Sequence, residues 1–129
     1  MSELAGKDVL LVDDDEDILT AIAASITELG VEVRTTGNGN AAVDMIQEKT
    51  PDLLILDQML PGRSGFLVLE KIRSLRKDTG KPPIIMITAN PGQRHKMYAE
   101  TLGVDVYLNK PFRMEKLVTA ARELLGKED

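Results

Sequence analysis

In the stretch LLILDQMLPGRSG, Leu53 to Gly65, four aliphatic residues lead directly to one carboxylate, Asp57, and Pro61, Gly62 and Gly65 follow. Three other apolar runs end in polar groups: Asp13 and Asp14 after DVLLV, Thr88 closing PIIMIT, and Lys110 just past VDVYL. Burying a carboxylate is costly unless something compensates its charge. Three carboxylates brought close together raise one another's pKa unless a cation intervenes. Oxygen ligands of this kind suit Mg2+ or Mn2+, held with several waters retained. Lys110 adds a fixed positive group, and Thr88 a short hydroxyl that can donate to the same oxygens. A metal, a lysine and a hydroxyl around one aspartate are the parts that stabilise charge on a phosphoryl group moving onto it. Aspartate serves as such a nucleophile, forming an aspartyl-phosphate.

These residues meet only if the intervening elements bring them together. Asp8 to Val12 reads as a strand, and Glu16 to Leu29 as an amphipathic helix closed by Gly30. Val31 to Thr35 alternates in polarity and reads as a half-exposed strand at a sheet edge. Asn38 can cap a helix that runs to about Lys49, before Pro51. Asp52 to Asp57 is the third strand, Phe66 to Arg76 the third helix, and Pro83 to Thr88 an uninterrupted and therefore central fourth strand. A helix from Gln93 to Leu102, a short strand from Val104 to Leu108 and a last helix from Arg113 to Leu125 complete the pattern. Alternating strands and helices with short links, and apolar runs that need cover on both faces, describe an α/β fold with an open, mostly parallel sheet. Ligands of such sheets sit outside the carboxyl ends of the strands, where strand order reverses. Asp13, Asp14, Asp57, Thr88 and Lys110 all fall at those ends.

With 129 residues, the chain is the size of one domain, read here as spanning residues 1–129. Its net charge of −5 argues against non-specific nucleic-acid binding, which needs a basic surface. Cysteine is absent, which excludes disulfide scaffolding and thiol catalysis. No run is long enough for a membrane span and no signal-peptide pattern opens the chain, so a cytoplasmic location is expected.

Taken together, LLVDDDEDI, LLILDQMLPGRSG, IIMITA and YLNKPF resemble the receiver domain of two-component response regulators, and the likeness covers essentially the whole chain. The resemblance implies a flavodoxin-like (βα)5 sandwich with strand order 2-1-3-4-5. It implies a phosphorylation-dependent switch rather than an enzyme: Asp57 accepts a phosphoryl group from a sensor histidine kinase or a phosphotransfer protein, and the domain catalyses only its own modification and reset. Asp13 and Asp14 match the acidic pair that binds Mg2+, with Asp14 the more direct ligand. Asp57 and the backbone carbonyl of Met59 complete that ligand set. Thr88 matches the switch hydroxyl, Lys110 the phosphoryl-contacting lysine and Tyr107 the switch aromatic, while Lys110–Pro111 matches a cis peptide. The donor is expected near the first helix, and the output surface on the fourth helix, fifth strand and fifth helix, with His95, Met97, Arg113 and Lys116. Val106, Ala120 and Ala121 depart from relatives that dimerise through ion pairs on that face, so a monomer or weak phosphorylation-dependent dimer is expected. Met59 and Asn90 stand where fast-resetting relatives carry an amide and an acid that orient water, which implies a long-lived phosphorylated state.

Other residues carry blander readings. Asp15 or a neighbour caps the first helix, and His95, between Arg94 and Lys96, reads as a plain surface residue. Gly37 and Gly39 fail the nucleotide-binding patterns. The rival from another class is a phosphatase of the haloacid-dehalogenase type, with Asp13 and Asp15 as its acidic pair, but Asp17 departs from that pattern. A pseudo-receiver, and the receiver portion of a larger, DNA-binding regulator, are further alternatives; a stand-alone protein is preferred.

Overall fold

The computed structural model describes residues 4–77, 79–89 and 92–126. Strands β1 (Asp8–Val12), β2 (Glu32–Thr36), β3 (Leu53–Asp57), β4 (Ile84–Thr88) and β5 (Val106–Asn109) form one parallel sheet in the order β2-β1-β3-β4-β5. They alternate with helices α1 (Glu16–Thr27), α2 (Gly39–Glu48), α3 (Gly65–Arg76), α4 (Gln93–Thr101) and α5 (Met114–Leu125). This is the flavodoxin-like arrangement that the alternation and the resemblance predicted.

The continuous apolar runs have a simple cause. Successive strand residues point to opposite faces, and each face here is covered by helices. Val9, Leu11, Leu53, Ile55, Ile85 and Ile87 pack with Ile22 and Ile26 of α1 and with Leu117 and Ala121 of α5. The intervening Leu10, Val12, Leu54, Leu56, Ile84 and Met86 pack with Val43 and Ile46 of α2, Val68 and Ile72 of α3, and Ala99 of α4. Every residue of β1, β3 and β4 is buried, whereas the edge strand β2 keeps Glu32 and Thr35 exposed. Among the described residues, no helix is long and apolar enough to cross a membrane.

Three helix starts are sealed by side chains. Asp15 accepts from the amides of Asp17 and Ile18, Asn38 from those of Asn40 and Ala41, and Ser64 from that of Leu67. By contrast, α4 and α5 begin without a side-chain cap. Four strands start later than the sequence pattern suggests: β2, β3 and β4 by one residue and β5 by two. Val31 is buried ahead of β2. Before β5, the Asp105 carboxylate accepts the Ile84 amide at 2.8 Å, while its own amide donates to the Ile84 carbonyl at 2.9 Å. That side-chain bond occupies the ladder donor, so regular pairing begins at Val106 opposite Ile85.

Candidate functional site

The sheet order reverses between β1 and β3, which lie side by side with Val12 opposite Leu56. The next residue of β1's chain, Asp13, and the last of β3, Asp57, therefore emerge together at the carboxyl edge. Both are almost fully buried, at 1% and 3% exposure, while Asp14 faces solvent. Carboxylate oxygens of Asp13, Asp14 and Asp57 all lie within 4.8 Å of one another. Lys110, one residue past β5, reaches over the sheet edge to place its Nζ 3.2 Å from Asp13 Oδ2 and 3.5 Å from Asp57 Oδ2. Its backbone amide donates to the Thr88 carbonyl at 2.7 Å, and the Lys110–Pro111 bond is cis, as is Lys81–Pro82.

The loop after β3 is drawn tightly under the site. Asp57 Oδ1 accepts the Met59 amide at 3.2 Å, and the Gly65 amide donates to the Gln58 carbonyl at 2.8 Å. A Cβ on Gly65 would lie 2.5 Å from the Asp57 carbonyl oxygen and 2.8 Å from the Gln58 Cα. Glycine is therefore required sterically where α3 begins. The Met59 side chain, in contrast, is largely exposed.

Electrostatically, the site holds excess negative charge. Burial and the neighbouring Asp13 push the Asp57 carboxyl up to about 6, with Lys110 and the Met59 amide opposing that rise. Burial alone would lower the Lys110 ammonium, but Asp57 and Asp13 more than offset it, and its pKa is raised. One lysine among three acids leaves the set under-compensated, and its ligands are all hard oxygens. Those donors fit a divalent cation such as Mg2+.

Thr88 is fully buried and donates its hydroxyl to Gln58 Oε1 at 2.5 Å. Tyr107 packs on the same face of the sheet. Its hydroxyl is buried without a hydrogen bond of ordinary geometry. Burial raises its pKa, and nearby Thr88 pulls the other way. Asn90 lies outside the described residues. Asp15 turns its carboxylate to the α1 amides and gives its own amide to Asp13 Oδ1 at 2.9 Å, so it forms no acid–base pair with Asp13.

Two residues acquire roles that the sequence pattern did not assign. His95 is not a plain surface residue. Its ring stacks on Phe66 at 6.0 Å between centroids and 3° between planes, and its Nδ1 lies 3.1 Å from Gln58 Nε2. Gln58, beside Asp57, is 4% exposed and joins Thr88 to α4. Strand parity contains the missed signal: Gln58 continues the Leu54, Leu56 row, just as Thr88 continues Ile84, Met86.

A doubly wound parallel sheet with acids from β1 and β3 and a lysine beyond β5 at one edge defines the class of the protein. The family described as the response regulator receiver domain matches residues 9–122, and the chain belongs to it. Similar solved structures include the receiver domain of a Francisella response regulator, 28% identical over 93% of this chain and 97% of that one, with a TM-score of 0.82. The receiver domain of a Pseudomonas aeruginosa sensor histidine kinase is 30% identical over 95% and 100%, with a TM-score of 0.82; that structure has a magnesium ion coordinated in its active-site cleft. The receiver domain of NtrX from Brucella abortus is 28% identical over 94% and 100%, with a TM-score of 0.81.

Proposed function

We propose that the chain is a cytoplasmic signalling switch that accepts a phosphoryl group on Asp57 from a histidine kinase or phosphotransfer protein. The observation that carries this reading is a buried carboxylate held 3.5 Å from a lysine ammonium within a three-carboxylate set. An Asp57 oxygen attacks phosphorus, the bond from phosphorus to the donor's nitrogen breaks, and its electron pair stays with the donor. Asp13, Asp14, Asp57 and the Met59 carbonyl would hold Mg2+, or Mn2+ in its place. When bound, such an ion neutralises phosphoryl oxygens as charge develops on them. Lys110 supplies a charge-assisted contact to those oxygens. The product stays on the chain, so no external substrate is turned over.

The modification adds negative charge and acceptor oxygens at one end of the sheet. Thr88 is the nearby hydroxyl donor for them, and Tyr107 packs next to it. Their rearrangement is read as a shift between two packings that changes the surface of α4, β5 and α5. Acetyl phosphate with Mg2+ should add one phosphoryl mass to the wild type and none to Asp57→Asn. Equal labelling in EDTA, or labelling of the variant, would overturn the assignment.

A further inference from the structure

We propose that Gln58 is a positioning residue of the switch. Its amide holds the hydroxyl of Thr88 and ties it to His95, so that Thr88 and α4 are released together. This inference rests on the reading that Asp57 accepts a phosphoryl group.

The polarity of the chain of contacts follows from its chemistry. A threonine hydroxyl has one proton to donate, and here it goes to Gln58 Oε1 at 2.5 Å. The opposite end of the same amide, Nε2, carries only donors, and it meets His95 Nδ1 at 3.1 Å. With Gln58 Nε2 as the donor, His95 Nδ1 is the acceptor of this contact. The Thr88 proton cannot serve Gln58 and a phosphoryl oxygen on Asp57 at the same time. Both partners in this first bond are buried, Thr88 completely and Gln58 to 4% exposure. Leaving Gln58 thus strands a buried acceptor, which water cannot readily satisfy.

The second bond matters because α4 is otherwise lightly anchored. It lacks a side-chain cap, and Ala99 is its buried residue. Among the described residues, its aromatic side chains are tied to α3. His95 stacks on Phe66, Phe66 meets Tyr98 edge-on at 5.0 Å, and the Tyr98 hydroxyl donates to Glu70 at 2.6 Å. Gln58 joins that aromatic cluster to the sheet beside Asp57. If Thr88 turns toward the phosphoryl group, the Gln58 amide loses the partner that orients it, and its hold on His95 weakens with it. Gln58 consequently resists switching and also couples the site to α4.

The test is a titration with beryllofluoride in Mg2+, following the Thr88 methyl, the Tyr107 ring and the α4 amides by NMR. In Gln58→Met, the midpoint of the response should fall about two- to tenfold, the range of one hydrogen bond. His95→Phe keeps an aromatic ring against Phe66 but has no Nδ1. Its α4 amides should shift before any beryllofluoride is added, while Thr88 stays as in the wild type. The double variant should match Gln58→Met alone, since contacts in one network do not add. An unchanged midpoint in Gln58→Met, or strictly additive effects in the double variant, overturns the proposal. Should Gln58→Met not fold, unshifted α4 amides in His95→Phe overturn it instead. If the wild type gives no Asp57-dependent response, the functional reading fails along with it; a normal wild-type response with unaltered variants sinks the Gln58 role alone.

Discussion

Asp57 is kept at a cost to the fold, and that cost can be measured. Burial and Asp13 lift its pKa from 3.8 to about 6. For an acid with a raised folded-state value, the unfolded chain ionises first as pH rises, so folding becomes less favourable through this window. The native state suffers nothing from Asp57 below about pH 3.8 and the full penalty above about pH 6. Two pKa units correspond to at most about 3 kcal/mol. In EDTA at pH 7, Asp57→Asn should therefore be more stable than the wild type by about 1–3 kcal/mol. Urea denaturation at a series of pH values checks this, and the gain should vanish as pH falls toward 4. Equal stabilities at pH 7 would mean that Lys110 already compensates the charge.

At the scale of elements, the two edges of the sheet do different work. The carboxyl edge carries the under-compensated acids, whereas the opposite edge carries a satisfied ion pair. Asp8, at the start of β1, is 3% exposed and receives Arg34 Nη2 at 2.6 Å and Nε at 3.1 Å. The same guanidinium donates to the carbonyls of Met45 and Lys49 at the end of α2. One side chain thus ties β1, β2 and α2 together. Arg34→Met strands the buried Asp8 carboxylate, with an expected cost of about 3–5 kcal/mol. Because this pair lies at the far end of the sheet, the folded variant should still label at Asp57 like the wild type. A stability loss under about 1 kcal/mol would place the pair among ordinary surface contacts.

For the whole molecule, the distribution of charge bears on self-association. The groove beside Tyr107 is lined by Lys96, Arg113 and Lys116. A two-fold dimer over this face would set each patch against its own copy, and like charges across an interface are unfavourable. Val106, Ala120 and Ala121 carry no acid, and the nearby Glu115 already pairs with Arg113 of its own chain at 3.7 Å. The protein should remain monomeric at micromolar concentration, with and without beryllofluoride. Light scattering decides the point, and a stable dimer in either condition would count against it.

Much of this protein was legible in the chain as written. Continuous apolar runs in β1, β3 and β4 require helices on both faces, and alternation in β2 requires an edge, so the layering follows from burial, while the strand order was legible only through the family resemblance. The acids, Thr88 and Lys110 sit at strand ends, which converge in any parallel sheet of this order; their meeting needed no detailed packing. Strand starts were less legible, because Asp105 takes a backbone donor through its side chain and delays β5. Least legible was the link from Thr88 through Gln58 to His95. Gln58 and His95 are 37 positions apart. Their contact depends on where α4 lies against α3 and the end of β3, which no local periodicity encodes. Composition placed His95 on a polar helix; tertiary packing laid its ring on Phe66 and turned its nitrogen toward the residue beside Asp57.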